Sequence, residues 1–276
     1  MPLILVATPI GNLADFSPRA REALSTADLI AAEDTRVTSK LLAHYGIRRP
    51  LISYHAHNLR DREEQLLTRL VAGESVVLVS DAGMPAISDP GQELVAACHQ
   101  QGIAVTVIPG ASAGIAALAV SGLATGRFCF EGFLSMNKRA RREHLAALVQ
   151  EERTMIFYEA PHKLLATLRD FANTFGGDRK ITLVRELTKL HEELRCCTLD
   201  EAVVHYSEHA PRGEFVLVIS GGNPSEKGDL RRDLEEAVLL AEAFIADGTP
   251  PTEAAKQAAA ATGRRKAEVY KALISN

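Results

Sequence analysis

Val76-Val77-Leu78-Val79-Ser80-Asp81-Ala82-Gly83-Met84-Pro85-Ala86-Ile87-Ser88-Asp89-Pro90-Gly91 runs from an unbroken apolar segment into a polar loop dense in glycine and proline. The apolar residues read as a strand over Val76–Ser80 buried in a sheet, and a helix over Gln92–Gly102 follows the loop. In α/β proteins, loops at that end of a strand are where ligands bind. Gly83 and Gly91 allow close backbone approach, and Pro85 and Pro90 stiffen the path. Ser88 and Asp89 place polar groups just ahead of the helix; taken alone, the loop reads equally as a long turn capped by Asp89.

Outward from this stretch, short β-branched runs alternate with helical ones up to about Gly122, the pattern of a mostly parallel sheet covered by helices. Strands are predicted at Leu3–Ala7, Leu29–Ala32, Leu51–Tyr54 and Ala104–Ile108 beside Val76–Ser80. Ser17 with Pro18 starts one helix, Gly46 and Gly73 close two others, and Ser112 caps a small-residue helix through Val120. These elements make a doubly wound α/β domain over residues 1–122. A second α/β domain, with a mixed sheet, is predicted over residues 123–222, its strands at Phe128–Phe133, Thr154–Tyr158, Ile181–Glu186, Arg195–Thr198 and Phe215–Ser220. Beyond Gly222 the composition turns alanine-rich, and residues 223–276 read as a helical appendage with helices at Leu230–Ala246, Glu253–Ala261 and Arg264–Ile274.

The chain has 276 residues and a formal net charge of −4, which argues against a uniform coat of nucleic acid but leaves room for a local basic face. Four cysteines include an adjacent pair and no CxxC, so a disulfide framework and a zinc knuckle are both disfavoured and a reducing cytoplasm fits. No run approaches the roughly 18 apolar residues of a membrane span, and no membrane association is expected.

Two more constrained loops leave the first sheet. Thr8-Pro9-Ile10-Gly11-Asn12-Leu13 follows the first strand, and Pro109-Gly110-Ala111-Ser112 follows the fifth and opens a helix whose backbone N–H groups suit a carboxylate, a ribose hydroxyl or an adenine edge. Neither GxGxxG after a strand nor GxxxxGK[ST] is present, which lowers the dinucleotide and ATP readings. Glu33-Asp34-Thr35-Arg36 brings two carboxylates, a hydroxyl and a guanidinium to the mouth of the same sheet, although Asp34 or Thr35 alone would serve as a helix cap. His55 and His57 also lie toward the mouth.

In the second half, Arg185-Glu186-Leu187-Thr188-Lys189-Leu190-His191-Glu192-Glu193 collects titratable groups at a strand end. Were the strand to continue, Arg185, Leu187 and Lys189 would share one face and Glu186 and Thr188 the other; an exposed charged hairpin is the alternative. Arg195 stands where a zinc protease motif would need a second histidine, so no metal is expected. Tyr158–His162 and Pro211–Glu214 are further junctions suited to lining a cleft. Basic residues cluster at Lys138-Arg139-Ala140-Arg141-Arg142 and again at Arg264-Arg265-Lys266 with Lys271; such runs are commonly solvated faces, but the first contains no acid and is suited to grip phosphates.

Taken together, Thr8–Leu13, Glu33–Arg36, Ser80–Gly91, Pro109–Ser112, Tyr158–His162 and Arg185–Glu192 resemble the motifs of the tetrapyrrole-methylase superfamily, and most closely its branch that methylates a cytidine 2′-oxygen in small-subunit (16S) ribosomal RNA. That resemblance implies two α/β domains, S-adenosylmethionine in the cleft between them, and a homodimer acting on 16S ribosomal RNA or the small ribosomal subunit. It further implies cofactor contacts from Pro9, Asp81, Ala82, Gly83, Ile87, Pro109, Gly110, Ala111, Ser112, Ala160, Pro161, Leu187, Gly213 and Glu214. A ribose methylase must align the acceptor oxygen, exclude water and help remove a proton. Lys189 with a lowered pKa, Glu192, Asp34 and His57 are the candidate bases, with Lys189 and Glu192 preferred. Glu33, Asp34, Arg36 and His57 are expected on the target nucleoside, and Arg139, Arg141 and Arg142 on phosphates. Methylation of a small tetrapyrrole, and a non-catalytic RNA-binding module, are the competing readings.

Overall fold

The computed structural model describes residues 2–55, 59–222, 224–262 and 264–274, in two compact units, Met1–Ser220 and Gly221–Asn276. The larger unit holds two five-stranded sheets. In the first, β1 (Leu3–Val6), β2 (Leu29–Ala32), β3 (Leu51–Ser53), β4 (Val76–Val79) and β5 (Val105–Ile108) run parallel in the order β3-β2-β4-β1-β5. Between them lie α1 (Pro18–Thr26), α2 (Thr35–His44), α3 (Leu59–Val71) and α4 (Gln92–Gln100).

Every residue of β2 and β4 is buried, because helices cover both faces of the sheet. Strand alternation divides the β4 side chains: Val77 and Val79 pack with Phe16, Leu24 and Leu42 of the α1–α2 side, while Val76 and Leu78 pack with Leu66 and Leu94 of α3 and α4. From the neighbouring strands β1 and β4 the chain departs in opposite directions, toward β2 and toward β5. Such a switch point opens a crevice at the carboxyl ends of the strands.

The second sheet has the order β6-β7-β10-β8-β9, formed by β6 (Phe128–Phe133), β7 (Thr154–Glu159), β8 (Lys180–Arg185), β9 (Glu193–Thr198) and β10 (Phe215–Ile219). Only β6 and β7 pair in parallel, so the sheet is mixed. One face is covered by α6 (Lys138–Ala147), α7 (Pro161–Phe175) and α8 (Leu199–Glu208), through Leu145, Leu164, Leu168, Phe171 and Leu199. The other face is covered by α5 (Ala113–Val120), whose Ala117 and Leu118 pack on Ile156, Val184, Val216 and Val218. Thus the helix that follows the first sheet is the cover of the second, and the 122/123 division drawn from the sequence falls just after it.

The smaller unit consists of α9 (Pro224–Ala246), α10 (Pro251–Thr262) and α11 (Lys266–Leu273). Ala237, Ala241, Ala254, Ala255, Ala258 and Ala259 form its core with Val269, small side chains that let helix backbones approach closely.

Several local expectations change. β9 begins at Glu193 rather than Arg195, and α9 begins at Pro224 rather than Leu230. Gly91, at φ 145°, holds the N-cap position of α4 without a side-chain cap, so Asp89 does not cap that helix. A methyl group on Gly91 would lie 2.8 Å from Leu78 Cδ2 and 3.0 Å from Ala86 Cβ. Gly91→Ala is therefore expected to destabilise the protein by about 1–3 kcal/mol, read as a lower urea midpoint with an unchanged slope.

Candidate functional site

The loops that follow β1 and β4 are joined directly. Thr8 N–H donates to the Gly83 carbonyl at 2.9 Å and Gly83 N–H donates back to the Thr8 carbonyl at 3.0 Å. The buried Thr8 hydroxyl donates to Ser80 O at 3.1 Å. Beyond this bridge the second loop takes an uncommon path, with Ala86 at φ 66° and Ser88 at φ 73°. Left-handed backbone at non-glycine residues persists only where the surroundings enforce it, and clusters at binding sites.

These loops form one wall of a cavity of about 370 Å³ whose other wall is the second sheet. From the first half come Ile10, Glu33, Asp81, Ala82, Gly83, Met84, Ile87, Ser88, Asp89 and Ser112; from the second come Phe133, Tyr158, Glu159, Ala160, Pro161, Val184, Leu187, Glu214 and Val216. Tyr158 is fixed by a hydrogen bond its oxygen accepts from Gly114 N–H at 3.0 Å, and by edge contacts with Phe130 and Phe133.

Among the described residues five acidic side chains line the cavity, Glu33, Asp81 and Asp89 on the wall of the first sheet and Glu159 and Glu214 on that of the second. Burial weakens the acidity of the first three. Asp89 is pushed up to about 6, by burial first and then by the negative charge of Glu33. Asp81 N–H donates to Glu33 at 3.2 Å, and the Asp81 carboxylate accepts from Asp34 N–H at 3.0 Å, which ties the two loops' polar groups together. Three carboxylates that are hard to ionise side by side make a site suited to a cation.

Between β8 and β9 the segment 186–192 is a hairpin link, not a continued strand, so the predicted alternation of its side chains does not apply. Glu186 (φ 51°) and Thr188 (φ 66°) bend it back. Lys189 Nζ donates to Glu186 and to Glu214, each at 2.9 Å. Burial opposes its charge, but the bonds to Glu214 and Glu186 prevail and raise its pKa, correcting the expectation of a lowered one. The Glu192 carboxylate accepts Thr188 N–H at 2.6 Å and so braces the bend.

Of the other residues singled out in the sequence, Pro9 faces a neighbouring hollow, and Gly110 presses on Ala7, where a methyl group would lie 2.8 Å from Ala7 Cβ. Gly213 lies under the Glu186 side chain, which leaves no room for a larger residue. Pro109 and Ala111 shape the turn into α5, and Ser112 makes no side-chain cap bond there. Asp34 caps α2 by accepting Arg36 N–H at 2.8 Å and also holds the Arg36 guanidinium, which lowers its pKa to about 2. So weak a proton acceptor is ill suited to act as a base. Arg139 pairs with Glu143. Arg141 turns inward to Asp170 at 2.6 Å and Thr167 at 2.9 Å, so it is a structural strut and not a loose phosphate contact. Arg142 is exposed, and His57 lies outside the described residues.

The sequence left Asp89 open between a polar group of a ligand loop and a helix cap, and did not single out Ile10, Met84 and Phe133 as walls. The clue for Asp89 was Gly91, which takes the capping position and leaves the carboxylate free to face the cavity.

Residues 2–203 match the family model described as Tetrapyrrole (Corrin/Porphyrin) Methylases, and the chain belongs to that family. A relative from Synechocystis sp. named ribosomal RNA small subunit methyltransferase I is 52% identical over 268 residues, 97% of this chain and 95% of that protein. The protein of the same name from Escherichia coli O157:H7 is 44% identical over 271 residues, covering 98% and 93%. Among solved structures, the methyltransferase CobJ aligns with a TM-score of 0.59 at 21% identity, over 80% of this chain and 94% of that one. Uroporphyrin-III C-methyl transferase from Thermus thermophilus, complexed with S-adenyl homocysteine, aligns at 0.54 and 18%, over 80% and 97%. At these identities the solved structures establish a shared fold.

The raised pKa of Asp89 has a testable consequence. Its native form binds a proton more readily than the unfolded chain does, so stability is lost as pH rises from the ordinary value of 3.8 to about 6 and stays lost above it. Asp89→Asn is expected to melt higher than the unsubstituted protein at about pH 7 to 8, with the gain shrinking as pH falls from about 6 toward about 4 and the two nearly level at about pH 3.5. Paired thermal scans would show this; a gain independent of pH would count against it.

Proposed function

We propose that this protein transfers a methyl group from S-adenosylmethionine to the 2′-oxygen of a cytidine in 16S ribosomal RNA within the small subunit. What carries the reading is the reach of the likeness: the relatives named for ribosomal RNA match 97% of the chain, whereas the corrin and porphyrin methylase structures match 79 or 80%. The share without counterpart in the latter is as large as the helical unit Gly221–Asn276.

The cavity residues suit the donor. Ile10, Met84, Ile87, Val184 and Leu187 offer apolar walls for an adenosine, and Glu33, Asp81 and Asp89 offer negative charge to a sulfonium and an ammonium group. Asp81, Ala82, Gly83, Ile87, Ser112, Ala160, Pro161, Leu187 and Glu214 would touch the donor, while Pro9, Pro109, Gly110, Ala111 and Gly213 shape the loops that do. When bound, the donor supplies a methyl group already made electrophilic by its sulfonium. The protein's own work is then to orient the acceptor oxygen, keep water out and take up its proton. Lys189, charged and clamped by Glu186 and Glu214, would stabilise negative charge growing on that oxygen. The Asp81 carboxylate, made a better proton acceptor by burial, would take up the proton, and Glu192 would hold the hairpin that presents Lys189.

We further propose a homodimer in the cytoplasm. The edge strands β5 and β6 and helix α5 leave Val107, Ile115, Val120, Phe128, Phe130 and Phe133 exposed, an apolar surface for a second copy to cover. Among the described residues no helix is long and apolar enough to cross a membrane. Four free thiols suit a reducing compartment.

The decisive experiment incubates the protein with labelled methyl donor and small subunits from cells lacking the activity, then maps the label to a nucleoside and to its sugar or base. Label on a cytidine ribose is expected; label on a porphyrinoid offered in parallel, with none on RNA, would replace the reading. In the same assay Lys189→Ala should slow single-turnover transfer about a hundredfold while donor affinity changes little. Separately, Arg139→Glu with Arg142→Glu should weaken RNA binding about tenfold at low salt and flatten its salt dependence; an unchanged slope would remove the basic face from the model of RNA contact.

A further inference from the structure

The Thr8–Leu13 loop serves two hollows. Its Ile10 faces the cavity assigned to the donor, whereas Pro9, Gly11 and Leu13 line a second hollow of about 270 Å³, closed by Val37, Thr38 and Lys40 of α2. Asp81 borders both, so the two spaces meet at one carboxylate. A transfer enzyme needs its acceptor beside its donor, in an orientation fixed by the protein. The second hollow is the space that the fold places there.

Its chemistry is that of a nucleotide seat. Leu13 and Val37 are 41% and 39% exposed and present apolar surface that the flat face of a base would cover. Lys40 is exposed and takes part in none of the ion pairs among the described residues, in contrast to Arg36, Arg139 and Arg141, so its charge is available to a phosphate. On the side of the second sheet, Gly11 has no room for a side chain, because Thr188 Oγ1 and Lys189 Cγ would crowd a methyl group at 2.8 and 2.5 Å. That close approach brings the Lys189 stem to the rim of the hollow.

We infer that this hollow seats the acceptor nucleotide, its base against Leu13 and Val37, its phosphate toward Lys40 and its ribose at Asp81. The inference rests on the proposed methyl transfer to RNA and names residues for the acceptor that the Glu33–Arg36 motif alone did not. Arg36 is held by Asp34 outside the hollow, and Lys40, one helical turn further along α2, takes its place.

The test uses the full chain with Val37→Trp, Lys40→Ala and Lys40→Arg. Val37→Trp should fill the hollow: calorimetry should return a donor Kd within about twofold of the unsubstituted protein, while single-turnover transfer to small subunits falls about a hundredfold. Lys40→Ala should raise KM for the subunit about tenfold with kcat nearly unchanged, and Lys40→Arg should restore it. As a readout independent of turnover, cytidine 5′-monophosphate titrated into the donor-loaded protein should shift the methyl resonances of Leu13 and Val37, and Val37→Trp should abolish binding. Normal transfer by Val37→Trp, parallel loss of donor binding and transfer, or nucleotide-induced shifts confined elsewhere would each overturn the assignment. If the unsubstituted protein methylates no RNA yet the nucleotide still shifts Leu13 and Val37, the RNA reading fails and the nucleotide seat stands.

Discussion

The reciprocal hydrogen bonds between Thr8 and Gly83 are the constraint from which the rest of the site follows. β1 and β4 lie side by side, but their chains depart toward opposite edges of the sheet, which by itself would leave two independent loops over an open crevice. The bridge turns them into one wall. Along that wall Ala86 and Ser88 adopt left-handed backbone, Gly91 holds the capping position of α4, and Asp89 lines the cavity. The unusual backbone and the unusual acidity thus fall on one loop, the second arising from burial and from the charge of Glu33.

The electrostatics follow the same logic. Glu33, Asp81 and Asp89 would be cheap to ionise in water, and the fold makes each of them harder to ionise by burial. A bound cation would relieve that cost, so part of the free energy of binding comes from stability that burial of these carboxylates takes away. Across the cavity the pattern reverses: Lys189 keeps its proton because Glu186 and Glu214 both face it. Three of the buried acids stand on the wall of the first sheet, and on the hairpin of the second Lys189 is held between two carboxylates.

Much of this was legible in the residues. The ten strands and the placement of three loops at one end of the first sheet follow from apolar runs broken by glycine and proline, signals that are local. What could not be read depends on partners distant in sequence. Arg141 looks like one member of a solvated basic run until Asp170 and Thr167 arrive from α7. Lys189 looks like a lysine awaiting desolvation until Glu214 arrives from the approach to β10. The start of β9 was misplaced for a related reason: Glu193 is charged, and only its pairing with Arg185 across the hairpin makes it a strand residue. Asp34 shows the converse, since the cap reading available from sequence is the one its hydrogen bonds bear out.

The order of strands in the second sheet carries a consequence for how the chain is made. Its middle strand, β10, is the last of the ten to be synthesised, and α5, made about a hundred residues earlier, buries its apolar side on β7, β8 and β10. A chain emerging from its N-terminus completes the parallel sheet early, yet it carries an uncovered helix until Phe215–Ile219 follows it out. For that interval the growing polypeptide exposes a sticky surface to its surroundings, and premature termination anywhere between the two would release a half-molecule prone to aggregate.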